Sequence, residues 1–268
     1  MIRASATRHR LANNAARHWP AIQRFTPRRP LPMPTRTGLI WMDLGDSVES
    51  LRRLLWVYEP MKFSNIARFL PPGGGFVDVG ANLGDFSIWA AKQGGPGTRV
   101  LAVEADPDNV PQLQRNLRLH HLDHVVEVAP VAAAAETGTI ELHQGHQSGT
   151  STIAPSEVHT LEHMKPRGTV EIPARTLDDL IAESALAQVD VVKIDVEGAE
   201  EYVLAGARKL LATSRPMTFL IDIHWGVDVA GIVADLADHG FTTRLEAEPD
   251  VVVDVVPRDA LSIVCIRD

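Results

Sequence analysis

The run Phe76-Val77-Asp78-Val79-Gly80-Ala81-Asn82-Leu83-Gly84-Asp85 joins a short apolar stretch, an acid and two glycines spaced G-x-x-x-G ahead of an amphipathic segment. Glycine permits positive φ angles and close backbone approach, and a helix beginning there offers unpaired N–H groups. A turn of this kind suits a nucleotide-type cofactor. One strand later, Val100-Leu101-Ala102-Val103-Glu104-Ala105 ends in a carboxylate able to accept both ribose hydroxyl hydrogens. A dinucleotide site calls for G-x-G-x-x-G, whose second early glycine admits the pyrophosphate; Asn82 stands at that position. S-adenosylmethionine has no phosphate and carries an ammonium and a sulfonium, beside which an acid such as Asp78 is apt. Asp78, Gly80, Asn82, Gly84, Glu104 and Ala105 are therefore the expected cofactor residues, with the methyl donor preferred over NAD.

A second capable set follows later strands. Asp190-Val191-Val192-Lys193-Ile194-Asp195-Val196-Glu197-Gly198 runs from an apolar strand into a turn, and Leu220-Ile221-Asp222-Ile223-His224-Trp225-Gly226 does so at the next strand end. Side chains alternate along a strand, so Asp222 and His224 share a side, as do Lys193 and Asp195. Methyl transfer to a hydroxyl is an in-line displacement that needs an aligned acceptor oxygen and a group to take its proton. His224 is of the right residue type for a base. Asp195 or Glu197 could serve directly, orient His224, or hold a cation that acidifies the hydroxyl. His224, Asp195 and Glu197 form the expected catalytic group, and Asp195 with Asp222 is an oxygen-rich pair suited to Mg²⁺. Lys193, an amine in an apolar strand, is expected to pair with a carboxylate.

These residues need a scaffold that brings successive strand ends to one edge. Strands are expected near 76–80, 99–104, 125–129, 190–195, 217–223, 241–246 and 261–267, and helices near 85–93, 107–120, 198–212 and 226–239. Near-continuous apolar runs such as Val189 to Ile194 suit strands covered on both faces. The expected fold is α/β, a Rossmann-like, mostly parallel sheet of seven strands with helices on both faces and ligands at the carboxyl ends. Residues 38–70 read as a strand followed by helix from Ser47 to Leu70, and 38–268 as the main domain. The stretch 139–173 interrupts the alternation as an inserted hairpin; its polar loop, with Ser148 to Thr152, His159 and His163, is either a substrate loop or an ordinary edge hairpin.

Of 268 residues, 26 are basic and 34 acidic, a net charge of −8. The first 42 contain no acid and eight arginines, so the remainder carries 18 basic against 34 acidic residues. An acidic body does not suit a nucleic-acid substrate. Residues 1–37, rich in Pro and Arg, read as a basic arm, a tail or a segment that packs on a second copy of the chain in preference to a membrane-surface or polyanion patch or an Arg-rich transit peptide. No run approaches the roughly eighteen apolar residues of a membrane span, and the arm lacks the apolar core of a secretory signal, so a cytoplasmic protein is expected. The lone Cys265 excludes a disulfide framework and is expected in the core.

Four motifs together resemble the FkbM-type methyltransferases: Val77 to Gly84, Val103-Glu104-Ala105-Asp106-Pro107-Asp108-Asn109, Arg175-Thr176-Leu177-Asp178-Asp179-Leu180 and Lys193 to Glu200. The resemblance spans about Glu59 to His239. It implies a class I methyltransferase sheet with a reversed last strand, S-adenosylmethionine as cofactor, and O-methylation of a sugar, glycolipid or polyketide-like hydroxyl. It further implies that Asp78, Gly80, Asn82 and Gly84 line the methionine end, that Glu104 takes the ribose, and that Asp195, Glu197 and His224 surround the acceptor. Two residues before His224 an acid, often Glu, is expected; here it is Asp222. The readings set against this are an NAD-dependent oxidoreductase and a cofactor-binding protein without turnover that docks on a partner through the arm.

Overall fold

The computed structural model describes residues 11–14, 17–26, 29–154, 166–257 and 259–268. His159, His163, Arg3, Arg8, Arg10 and Arg28 lie outside the described residues.

After helix α1 (Trp19–Gln23), strands β1 (Leu31–Thr35) and β2 (Gly38–Met42) pair antiparallel, Leu31 opposite Met42. The expected boundary at residue 37 thus falls inside a hairpin turn. Pro32 and Pro34 are tolerated because β1 has a partner on one side alone. Helix α2 (Val48–Leu54) and helix α3 (Pro60–Phe69) fill the stretch expected to be helical from Ser47 to Leu70 and part ahead of Pro60. Trp56 and Glu59 between them hold φ 61° and 33°, and Pro60 opens α3 at a position where its missing N–H costs nothing.

The remaining elements are β3 (Gly75–Val79), α4 (Asp85–Gly94), β4 (Arg99–Val103), α5 (Val110–Leu119), β5 (Val126–Ala129), β6 (Ala132–Ala133), β7 (Gly138–Gln144), β8 (Gly168–Arg175), α6 (Leu177–Glu183), β9 (Val191–Ile194), α7 (Glu200–Ala205), α8 (Arg208–Leu211), β10 (Met217–Asp222), α9 (Val229–Asp238), β11 (Thr242–Leu245), β12 (Glu248–Val252) and β13 (Ser262–Arg267). The helix expected over 198–212 breaks at Gly206, where a Cβ would lie 2.2 Å from the Ala134 carbonyl oxygen.

The main sheet has eight strands in the order β12-β11-β13-β10-β9-β3-β4-β5, one more than expected, because β12 adds itself antiparallel to β11. Strands β10, β9, β3, β4 and β5 are parallel, while β13 runs antiparallel between β10 and β11. A small sheet, β6-β8-β7, carries the inserted hairpin.

Alternation along the central strands divides the core. Val77, Val79, Val192, Ile194, Phe219 and Ile221 face α6 to α9. Phe76, Val191 and Leu220 face the other way, among Phe63 and Ile66 of α3 and Phe86 and Ile88 of α4. Asp78, Lys193 and Asp222 occupy alternate positions on that second face, buried beneath the N-terminal helices. Cys265 is fully buried on β13, as expected.

Candidate active site

The turn after β3 is built from its backbone outward. Gly80 has φ 77°, and a Cβ there would stand 1.8 Å from the Asp195 carbonyl oxygen, so only glycine lets the two strand ends meet. Its N–H and that of Ala81 donate to the Val103 carbonyl at 2.9 and 3.0 Å, tying the turn to the end of β4. Asn82, at φ 49°, donates its N–H to Glu104 Oε2 at 2.7 Å. Glu104 Oε1 accepts from the Asp106 N–H at 2.9 Å and Asn109 Nδ2 at 3.2 Å. A carboxylate has about four acceptor positions, so the free one is on Oε2. The expectation of bidentate ribose binding is narrowed: one oxygen is already committed to holding the loop.

Gly80, Asn82, Glu104 and Ala105 line a cavity at the carboxyl ends of β3 and β4. Asp78 and Gly84 do not. Asp78 is fully buried, accepting from Ser87 Oγ at 2.6 Å and facing Lys193 Nζ at 3.3 Å, because its strand position points it under α4. Gly84, at φ 89°, lets α4 start against Leu113, whose Cδ1 would be 2.6 Å from an added Cβ. Both are corrections to the sequence reading. Lys193 pairs as expected, facing Asp78 and also Asp195 at 3.4 Å while donating to the Gly80 carbonyl at 2.7 Å.

The segment after β7 covers this cavity with Gly149, Ser151, Thr152 and Ile153. Ser151 Oγ donates to Asp106 Oδ2 at 2.6 Å, and Ser148 donates to Asp46 Oδ2 from N–H and hydroxyl at 3.0 and 2.7 Å. The segment therefore bridges the cofactor-side loop and the N-terminal region.

A second cavity, about 680 Å³, is lined by Glu59, Asp195, Glu197, Asp222, His224 and Glu246 among others. Asn82, Gly149, Asp195 and Glu197 line both cavities and form their common wall. His224 Nε2 lies 3.6 Å from Asp195 Oδ1 and 3.4 Å from Glu197 Oε2, while Nδ1 is hydrogen-bonded to Glu200 Oε1 at 2.6 Å. Burial opposes charge on His224, but the Glu200 bond and the attraction of Glu197 and Asp195 outweigh it and push the imidazole up to about 10. Burial would likewise raise Asp195, yet Lys193, Lys62 and His224 hold it down at about 2. Glu197 has no lysine beside it; burial, with Asp195 and Glu200 adding, lifts it to about 7 against the pull of His224.

Asp222 does not join Asp195 as an oxygen pair. Its carboxylate is taken by Lys62 Nζ and by Ser262 Oγ, the latter at 2.5 Å, beneath α3. The Mg²⁺ pair expected from Asp195 and Asp222 is corrected accordingly. The observed convergence is Asp195, Glu197 and His224, whose donor atoms lie within 4.8 Å of one another.

With this geometry in view, residues 78–242 match the methyltransferase FkbM domain. The chain belongs to the FkbM methyltransferase family. It is 31% identical to Methyltransferase sdnD of Sordaria araneosa over 160 residues, 51% of this chain and 61% of that protein. The chain thus spans less than two thirds of that relative. It is 29% identical to 31-O-demethyl-FK506 methyltransferase FkbM of Streptomyces tacrolimicus, over 67% of this chain and 77% of that protein. It is 27% identical to 2-O-methyltransferase NoeI of Sinorhizobium fredii, over 52% of this chain and 59% of that protein.

Two residues of this FkbM-family site escape sequence reasoning. Glu200 sits in the first turn of α7, where an acid reads as a complement to the helix dipole; in the fold it is fully buried against His224. Lys62 is a lysine on an amphipathic helix, a position that reads as solvated; it is buried between Glu59, at 2.8 Å, and Asp222.

Proposed function

We propose that this chain is an S-adenosylmethionine-dependent O-methyltransferase acting on a hydroxyl of a sugar, glycolipid or polyketide-like molecule. The observation that carries the reading is the common wall: a cavity floored by Gly80 and Glu104 adjoins, through Asn82, Asp195 and Glu197, a cavity containing an imidazole and carboxylates. The names of the FK506 and NoeI relatives, which specify O-methylation, agree with a hydroxyl acceptor.

The residues present fit the cofactor. Asn82 Oδ1 is buried with no hydrogen-bond partner among the described residues, Gly80 leaves room for close approach, and Glu104 keeps a free acceptor position for a ribose hydroxyl. When bound, the cofactor supplies a methyl group activated by a sulfonium. The chain's own residues do the rest. The common wall sets the acceptor oxygen against the methyl side, and the Asp195–Glu197–His224 group receives the hydroxyl proton as the new O–C bond forms. Glu200 fixes the imidazole ring so that Nε2 faces the cleft.

Calorimetry of the full chain with S-adenosylhomocysteine tests the cofactor half: binding is expected, weakened at least about tenfold in Glu104→Ala. Heat with NAD and none with S-adenosylhomocysteine would move the chain to the oxidoreductase reading. His224→Ala is expected to keep that affinity and to lower turnover of a hydroxyl acceptor by about 10²–10⁴-fold. An unchanged rate would remove His224 from the reaction.

A further inference from the structure

The distances around His224 are unusual for an ion pair. Nδ1 makes a short bond to Glu200 at 2.6 Å, yet the two carboxylates facing Nε2 stand back at 3.4 and 3.6 Å. Glu200 is wholly buried and comes from α7, outside the group it supports. Its bond to Nδ1 turns Nε2 into the cleft, where a bound ion would displace the Nε2 proton, the arrangement in which a carboxylate orients a metal-binding histidine. Donors bound to one ion at about 2.0–2.2 Å, at angles of roughly 105–115°, are separated by about 3.2–3.7 Å. The observed separations from Nε2 match that spacing.

Charge points the same way. Lys193 is committed to Asp78 and Asp195, and Lys62 to Asp222 and Glu59. Glu197 has neither lysine, and its backbone holds φ 55°, which carries its carboxylate back to the strand edge beside Asp195. Glu246 adds another acid to the same cleft, with Oε1 buried and free of hydrogen bonds among the described residues. The cleft has more negative charge than its own cations balance.

We infer that Asp195, Glu197 and His224 form a divalent-cation site with one nitrogen and two carboxylate ligands, whose remaining positions receive the acceptor hydroxyl. The ligand set favours Mn²⁺, Fe²⁺, Co²⁺ or Zn²⁺ over Mg²⁺, which prefers an all-oxygen shell. The metal site stands on these residues alone; its role in transfer rests on the O-methyltransferase reading. In that role the ion acidifies the bound hydroxyl. The O–H bond ionises and its proton passes to the Glu197 carboxylate oxygen that does not hold the ion. The oxygen lone pair then forms the O–CH₃ bond as the C–S bond breaks, its electron pair going to sulfur. No oxidant or reductant is required.

The experiment is titration of the chelator-treated full chain with Mn²⁺, read by calorimetry and by the electron paramagnetic resonance of free Mn²⁺. One equivalent is expected to bind with micromolar or tighter affinity. His224→Ala and Glu197→Gln should each weaken it at least about 100-fold, and Glu200→Gln about 10–100-fold through the lost orientation. All three variants should keep the cooperative thermal unfolding of the unsubstituted chain, which serves as the check on folding. Binding of Mn²⁺ and Zn²⁺ no tighter than millimolar in protein that binds S-adenosylhomocysteine overturns the site. So does tight binding unaffected by His224→Ala and Glu197→Gln, since the ion is then elsewhere. Loss of S-adenosylhomocysteine binding with Mn²⁺ binding intact would instead strike the cofactor reading and leave the metal site standing.

Discussion

Glu246 shows how one side chain records the electrostatic character of the second cavity. Burial, with Asp222 and Glu59 adding and Lys62 opposing, lifts its carboxyl to about 7 from an ordinary 4.5. The folded state therefore holds the Glu246 proton more tightly than the unfolded chain does. Below about pH 4.5 both states are protonated and the residue is neutral in its effect; as pH rises to 7 the folded state is progressively penalised, and the penalty is complete above 7. Glu246→Gln removes an ionisation the fold disfavours. The substitution is expected to leave the melting temperature unchanged at pH 4.5 and to raise it by several degrees at pH 8, at most about 3 kcal/mol in stability. Thermal unfolding of both proteins across that range checks the sign; a Gln variant less stable at pH 8 would mean that Glu246 is needed to balance Lys62. The same surplus of acid that burdens the free fold is what an incoming cation or donor group would relieve.

At the scale of elements, residues 148–151 tie the two cavities to the loop after β4 through Ser151–Asp106 and to the N-terminal region through Ser148–Asp46. Gly149 packs against the glycine turn: φ is 80°, and an added Cβ would lie 2.5 Å from Asn82 Nδ2. Gly149→Ala must both pay the left-handed penalty of about 1–2 kcal/mol and push the segment off Asn82. Dissociation of S-adenosylhomocysteine, followed by stopped-flow or by competition, is expected to quicken about 5–10-fold, with stability lowered by about 1–2 kcal/mol. An unaltered rate would mean that the segment does not cover the cofactor. The strand ends that build this site were readable because apolar runs interrupted by an acid and a glycine have few structural meanings: Gly80, Glu104, Asp195, Glu197 and His224 all reached one edge. What was not readable depends on partners distant in sequence. Asp78 looked like a cofactor ligand until Ser87 and Lys193 claimed it, and Asp222 looked like a metal ligand until Lys62, 160 residues away, took its carboxylate. Strand β12 has an exposed, proline-containing sequence that carries no period-two pattern of its own.

For the whole molecule, these pairings make the N-terminal region part of the domain. Ile40, Met42, Phe63 and Ile66 are each at most 1% exposed and sit in the core on the face of the sheet that holds Asp78, Lys193 and Asp222. Two buried ion pairs cross the same boundary: Lys62 reaches Asp222, and Arg53 reaches Asp85 at 2.7 Å. Removing residues before Pro71 would expose the surfaces under four large apolar side chains, each worth about 1.5–3 kcal/mol when buried. It would also remove the cations paired with Asp222 and Asp85 and open both carboxylates to water. Against a total stability of about 5–15 kcal/mol for a domain, the loss is comparable with what is available. A chain of residues 71–268 is therefore expected to lack near-UV circular dichroism and cooperative unfolding, and to bind no S-adenosylhomocysteine, although β3 to β13 and every residue of the Asp195–Glu197–His224 group remain. A truncated chain that melts cooperatively and binds the cofactor product would show that the region is an appendage. Lys62→Met in the full chain keeps the apolar packing and unpairs Asp222 and Glu59, so it should lower stability by only the ion-pair share, about 3–5 kcal/mol. If truncation and Lys62→Met destabilise equally, the coupling is electrostatic; a much larger loss on truncation assigns it to the core formed with Phe63 and Ile66.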